Sequence, residues 1–228
     1  MIYTIGDLHL SFGSEKPMDI FSGWTNHVER LKENWNSKIT ENDTVILLGD
    51  HSWALKLEDS RKDLEFIHKE LNGKKILVKG NHDLWWSTMN KITNFVKENG
   101  FTSIEFLFNN AYLVEGISIC GTRGWIRENG EEADAKVLNR EAGRLEASLQ
   151  AGQRLGGELT AFIHYPPIYR SEENTLLTAL LKKYGVKRCF YAHLHGSAIN
   201  GSVNGERDGV RYQLVSADGV GFNPVKVN

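Results

Sequence analysis

Short apolar runs that stop abruptly at glycine or at charged residues alternate along this chain with longer stretches whose apolar positions recur at helical spacing. The runs Ile2 to Ile5, Thr44 to Leu48, Ile76 to Val78, Thr160 to Ile163 and Arg188 to Ala192 read as strands, and Thr44 to Leu48 is apolar enough to be covered on both faces. Between them, Trp24, Val28, Leu31 and Trp35 line one face of a helix over 19–35, and Leu64, Ile67 and Leu71 line one over 60–71. Met89, Ile92 and Val96 predict a helix over 83–97, the Ala-, Glu-, Arg- and Leu-rich stretch 131–150 a longer one, and Leu177, Leu180, Leu181 and Tyr184 one over 174–184. Ser60 and Asp63 resemble a capping box, with Asp in place of the usual Glu or Gln.

Turn residues punctuate the pattern. Glu115-Gly116 separates two β-prone runs, 111–114 and 117–120, and predicts a two-residue hairpin. Asn-Gly at Asn200 and Asn204, and Asp-Gly at Asp208 and Asp218, are hairpin signals around a strand over 210–215. Strand and helix in alternation, with added hairpins, predict an α/β fold with a largely parallel sheet and helices outside it. The absence of a repeat or linker predicts one domain over 1–228.

The polar residues that follow the strands carry the chemistry. Gly6-Asp7-Leu8-His9 follows the first strand, Gly49-Asp50-His51 the second, Gly80-Asn81-His82-Asp83 the third, His164 the fourth, and His193-Leu194-His195 the fifth. Each block taken alone fits a solvated turn as well as a ligand site. Asp7 and His9, two apart in extended chain, point to one side and can meet one cation. Strands of a parallel sheet open onto one crevice at their carboxyl ends, so the blocks are expected to converge there. Of the eight histidines five stand at these exits and His51 is a sixth, leaving only His27 and His68 on predicted helices, in surface or packing roles.

Composition narrows the partners. With 40% hydrophobic and 25% charged residues the chain reads as an ordinary soluble globular protein. The balance of 27 basic against 29 acidic residues, with no basic stretch interleaved with aromatics, argues against extended nucleic-acid binding. Cys120 and Cys189 fall inside apolar strands and read as buried free thiols of a reducing compartment, and no apolar run approaches the roughly 18 residues of a membrane span. Together with a start that lacks a signal-peptide pattern, this predicts a cytoplasmic protein without a membrane partner; oligomeric state leaves no mark in the pattern.

The ordered series Asp7-x-His9, Gly49-Asp50, Gly80-Asn81-His82-Asp83, His164 and His193-x-His195 resembles the five-block signature of the calcineurin-like metallophosphoesterases, over roughly residues 2 to 196. Two positions depart from it: Ala192 stands where the last block usually has Gly, and His51 where an apolar residue is common. The resemblance implies a four-layer α/β/β/α sandwich, two mixed sheets flanked by helices. It implies two metal ions (Mn, Fe, Zn or similar), one held by Asp7, His9, Asp50 and His195, the other by Asp50, Asn81, His164 and His193. It further implies phosphate-ester hydrolysis by a metal-bridging hydroxide, with His82 as the catalytic imidazole and Asp83 orienting it. The expected substrate is a small phosphodiester such as a cyclic nucleotide, or a phosphomonoester. A catalytically weak interaction scaffold and a nuclease of the same fold are the alternatives. His51, Arg123, Trp125 and Arg127 are candidate substrate contacts, because arginines on a glycine-punctuated loop can clamp phosphate, and Trp53, Trp85, Trp86 and Tyr165 are further candidate walls of the pocket.

Overall fold

The computed structural model describes residues 1–126 and 135–227. Its first half alternates β1 (Ile2–Ile5), α1 (His27–Asn36), β2 (Thr44–Leu48), α2 (Arg61–Lys69), β3 (Lys74–Val78), α3 (Met89–Glu98) and the short β4 (Ile104–Phe106). Then follow β5 (Tyr112–Val114), β6 (Ile117–Thr122), α4 (Ala135–Leu155), β7 (Glu158–Ile163), the ribbon β8 (Ile168–Tyr169) with β9 (Glu172–Glu173), and α5 (Thr175–Lys183). β10 (Arg188–Tyr191), a 3-10 helix (Gly196–Gly201), β11 (Gly205–Arg207), β12 (Val210–Leu214) and β13 (Val225–Lys226) complete the chain.

Two mixed sheets result, with order β13-β1-β2-β3-β4 and β11-β12-β10-β7-β6-β5. The interior neighbours are parallel, and the antiparallel strands β13, β11 and β5 sit at edges. The period-two alternation of each strand builds three layers of core. Val45 and Leu47 of β2 face Leu31, Trp35, Leu64, Ile67 and Ile92 of the helices α1 to α3. Ala161 and Ile163 of β7, with Cys189 and Tyr191 of β10, face Leu145 and Leu149 of α4 and Leu177 and Leu181 of α5. The opposite faces, Ile46, Leu48, Ile76 and Val78 from one sheet and Ile119, Phe162, Phe190 and Ala192 from the other, pack between the sheets. This is the four-layer sandwich, and both cysteines are buried free thiols within it.

The sheets are joined at the carboxyl edge of their strands. The Gly6 amide donates to Val215 O at 2.9 Å and the Ala217 amide to Gly6 O at 3.0 Å, so the end of β1 pairs with the segment after β12. A Cβ on Gly6 would stand 2.5 Å from the Ala192 Cβ, so the methyl at the position that departs from the signature is accommodated by a glycine opposite.

Several boundaries differ from the pattern-based reading. The helix expected over 19–35 begins only at His27, because Gly23 and Asn26 take left-handed backbone conformations and Trp24 is drawn inward. The helix expected over 83–97 begins at Met89, because Asp83 and Trp85 are buried in the turn ahead of it. The helix expected over 131–150 runs Ala135–Leu155, its first expected residues lying outside the described ones. Glu115-Gly116 and Asp208-Gly209 do form two-residue hairpins, both residues of each turn at positive φ. Asn200 lies instead in the 3-10 helix, Asn204 spends its side-chain oxygen on the Leu214 amide at 2.9 Å, and Asp218 turns toward His195. Pairing with the sheets creates β4 and β13, short segments without a periodic signal of their own.

The expected capping box at Ser60 is replaced by a longer-range contact. Asp63 is buried and accepts from the Phe12 amide at 2.7 Å and from the Ser52 hydroxyl, tying α2 to the loops after β1 and β2. Asp63→Ala leaves both donors unpaired and is expected to cost about 1–3 kcal/mol, read as a lower urea midpoint with an unchanged m-value.

Candidate metal centre

Each polar block sits where a strand leaves its sheet, and the backbone there is bent to aim it. Asp7, His9, Asp50 and His193 have φ of 60°, 46°, 52° and 74°, the left-handed region that non-glycine residues occupy at a cost of about 1–3 kcal/mol each. The turns are nonetheless held by the backbone: the Asp7 amide donates to Gly49 O and the His9 amide to Asp50 O, both at 2.9 Å. Close approach requires the glycines beside them. A Cβ on Gly80 would lie 2.1 Å from Asp50 Oδ1, and one on Gly49 would lie 2.6 Å from His164 Nδ1.

Residues from opposite ends of the chain thus come into contact. One oxygen of Asp7 and one ring nitrogen each of His9 and His195 lie within 4.8 Å of one another, as do ligand atoms of Asp50, His164 and His193. The Asn81 Oδ1 is 2.7 Å from His164 Nε2 and 2.9 Å from His193 Nδ1. Asp50 Oδ2 stands between the groups, 4.0 Å from His9 Nε2 and 3.6 Å from His164 Nε2.

Neighbouring groups fix the rings. His164 Nδ1 donates to the Leu48 carbonyl at 2.7 Å, which leaves Nε2 with a lone pair toward Asn81 and Asp50. His195 Nδ1 donates to Asp218 Oδ1 at 2.8 Å, and Asp218 Oδ2 accepts from the Gly196 amide at 2.9 Å. The His195 Nε2 then points at His9 Nε2, 3.3 Å away, and at Asp7 Oδ1, 3.6 Å away. Trp53 stacks on His9 at 4.7 Å and Trp24 meets the His9 and His195 rings edge-on, so the centre is packed as well as polar.

The electrostatics are those of a site built for cations. Burial raises the Asp50 carboxyl well above the ordinary carboxylate range, and Asp83 and Asp7 beside it push the same way. Burial works against ionisation of Asp7 too, but His195, His164 and His9 outweigh it and hold that carboxyl well below the usual range. Burial pushes His9 down to about 3 despite Asp7, whereas His195, although buried, is lifted to about 10 by Asp7 and Asp218. Asp7 Oδ1 and His9 Nδ1 are buried without a hydrogen-bond partner. Carboxylate, amide and imidazole donors converging with unspent lone pairs fit transition-type divalent cations.

The remaining expected residues divide. His82 donates its amide to Asp50 Oδ1 at 2.8 Å and lays its exposed ring against Trp53 at 4.5 Å and His9 at 5.7 Å. Partial burial, then His164 and His193, lower its pKa. Asp83 does not orient His82: its carboxylate accepts from His51 Nδ1 at 2.9 Å, from the amides of Asp50, His51 and Gly80 at 2.8–2.9 Å, and from Trp85 Nε1 at 3.0 Å. His51 is therefore fully buried behind the centre, stacked near Trp86, and Trp85 and Trp86 are core residues instead of pocket walls. Trp53 and Tyr165 do border the centre, Tyr165 at 4.2 Å from the His193 ring. Trp125 packs on Tyr165 at 5.2 Å and Arg123 lies over Trp125, while Arg127 lies outside the described residues. Asp218 joins the centre without any local signal of that role. Its Asp-Gly pair reads as a turn, and only the fold shows the carboxylate reaching back to His195.

A two-sheet α/β sandwich thus carries, at its strand ends, two carboxylate–histidine clusters that could each hold a metal ion. The sequence model of the calcineurin-like phosphoesterases matches residues 1–197, and the chain belongs to that family. Two solved structures share the fold. The protein of unknown function AQ665 from Aquifex aeolicus is 18% identical over 99% of this chain and 94% of that one, with a TM-score of 0.52. TT1561 of Thermus thermophilus is 13% identical over 96% of this chain and 89% of that one, with a TM-score of 0.59. No curated protein matches the chain. No helix among the described residues is long and apolar enough to cross a membrane.

Asp218→Ala is expected to weaken metal binding roughly 10- to 100-fold, since it releases the ring of the candidate ligand His195 without removing it. Metal titration followed by calorimetry reads the change, with an unaltered circular dichroism spectrum of the metal-free protein.

Proposed function

We propose that this chain is a dinuclear phosphohydrolase acting on a small phosphate ester, with one cation held by Asp7, His9, Asp50 and His195 and the other by Asp50, Asn81, His164 and His193. The observation that carries the reading is Asp50 itself. It is buried between two carboxylates, its side chain hydrogen-bonded among the described residues only to the His82 amide, and its second oxygen stands between the two ligand groups. A carboxylate so placed is stable when ionised only if cations compensate it. Mn, Fe, Zn or similar ions bound there supply Lewis acidity toward phosphoryl oxygens and acidify bound water.

The chain's own residues supply the rest. His82 faces the open side of the centre, where its ring N–H can donate to the leaving oxygen. Asp83 holds the turn that carries Asn81 and His82 by accepting the Gly80, Asp50 and His51 amides, so its role in catalysis is to position both blocks. Trp53 sets the His82 ring from one side, and Tyr165 covers His193. A phosphodiester such as a cyclic nucleotide, or a monoester, fits an open centre walled by aromatic rings. A cytoplasmic, single-domain enzyme agrees with the two buried free thiols and with sheets joined at one edge.

Asp50→Asn is expected to abolish both metal retention, measured by plasma emission, and turnover of nitrophenyl mono- and diesters with added Mn; full activity in that variant overturns the assignment. His82→Gln should keep its metal while turnover falls by about 10²- to 10⁴-fold. Loss of metal in that variant makes His82 a ligand instead.

A further inference from the structure

The carboxylates of the crevice leave the His82 ring to be held by something else. The His82 amide donates to Asp50 Oδ1 at 2.8 Å and its carbonyl accepts from the Leu84 amide at 2.7 Å, but its ring makes no hydrogen bond among the described residues. The adjacent Asp83 carboxylate is spent on His51 Nδ1, Trp85 Nε1 and backbone amides. An exposed imidazole with two free torsions samples several rotamers. A group that must come within hydrogen-bond distance of a leaving oxygen cannot serve from most of them.

Trp53 is in place to select one. Its ring centroid is 4.5 Å from that of His82, with the planes tilted by 54°, and it stacks on His9 at 4.7 Å and 19°. His9 meets His82 only at 5.7 Å, edge-on. The indole is the closer contact.

It is also the better anchored one. The Trp53 amide donates to Leu10 O at 2.9 Å, its Nε1 donates to Met18 Sδ at 3.3 Å, and the Lys16 ammonium stands 4.8 Å from its ring centroid. Met18 is buried and Leu10 bridges to Ser52, so the restraints come from the segment between β1 and α1. Packing alone does not account for the arrangement. Trp53 is only half-buried, and it touches both an exposed imidazole and a candidate metal ligand.

We infer that Trp53, held by Leu10, Lys16 and Met18, is the positioning residue of His82 and keeps its ring N–H where the leaving oxygen of the ester forms. This rests on the phosphohydrolase reading and gives the orienting role, which Asp83 does not fill, to an aromatic contact. A hydrogen bond to the leaving oxygen matters in proportion to the charge that builds there. A nitrophenolate departs with little help, whereas the more basic phenolate depends on the donor. Loss of Trp53 therefore penalises poor leaving groups selectively.

Matched nitrophenyl and phenyl phosphate esters with the Mn-loaded protein provide one arm of the test. Trp53→Leu is expected to raise the ratio of nitrophenyl to phenyl turnover about tenfold or more, as His82→Gln does, and to leave the ratio unmoved when introduced into His82→Gln. Trp53→Phe, which keeps a ring against His82, should restore most of the wild-type ratio. Met18→Leu, which removes the acceptor of the indole N–H and preserves the apolar volume, should move the ratio in the same direction as Trp53→Leu and serves should that variant fail to fold. The second arm needs no turnover. Histidine-ring carbon–proton spectra of the metal-free protein, with His82 assigned by its absence in His82→Gln, should show the His82 signals moving toward those of a free imidazole in Trp53→Leu. An equal fall on both esters, a ratio that still rises in the His82→Gln background, or unmoved His82 signals overturns the inference. A wild type that hydrolyses neither ester removes the phosphohydrolase reading, and the ring spectra then decide the contact by themselves.

Discussion

Three carboxylates, Asp7, Asp50 and Asp83, are buried within one crevice, and compensating their charge is the constraint on which the rest of the structure depends. Each is treated differently. Asp83 collects backbone amides, an indole N–H and the His51 ring, a set of donors that stabilises its ionised form without any cation from outside. Asp7 is offset by three imidazoles and the His193 amide. Asp50 has a single amide and two like-charged neighbours, so it is the least compensated of the three. The asymmetry separates a carboxylate whose donors are all supplied by the fold, Asp83, from one left with a single donor, Asp50.

Building that crevice costs conformational freedom and local strain. Four residues of the candidate centre sit in left-handed conformations, and Gly49 and Gly80 are required because a Cβ at Gly49 would meet Gly80 and His164 and one at Gly80 would meet Asp50. The surrounding structure over-determines these turns. Strands β1 and β2 continue their pairing past their ends through the Asp7, His9 and Leu10 amides, and the Gly6 contacts with Val215 and Ala217 lock one sheet to the other. Strain is therefore held in place by a core that packs on both faces of both sheets.

The departure at His51 has a structural consequence. In this chain the imidazole after Asp50 takes the Asp83 carboxylate, and His82 is left to be set by Trp53 and His9. The imidazole on the open side is thus steered by aromatic packing, and the buried dyad serves as a strut beneath it. Elsewhere the buried Glu141 repeats the theme, one carboxylate arranging Arg123, Arg140 and Arg144 around it.

The longer strands, most of the helices, both two-residue hairpins and the convergence of the polar blocks at the strand ends were legible in the sequence, because periodicity, turn residues and chemistry at strand ends are local properties. What lay beyond it were the interactions made by residues whose local signal points elsewhere. Asp218 looks like half of a turn, Asp63 like a cap, and Asp83 like a partner for its neighbour, yet each spends its carboxylate on residues 11 to 51 positions away in sequence. A carboxylate bonds whichever donors the fold brings to it, and burial makes the best-satisfied arrangement win over the nearest one. The same holds for the helix starts displaced by Trp24 and Trp85: helical propensity is worth a few tenths of a kcal/mol per residue, roughly, while burying an indole is worth several times that. Sequence alone determined which residues could meet; packing between two sheets decided which of them did.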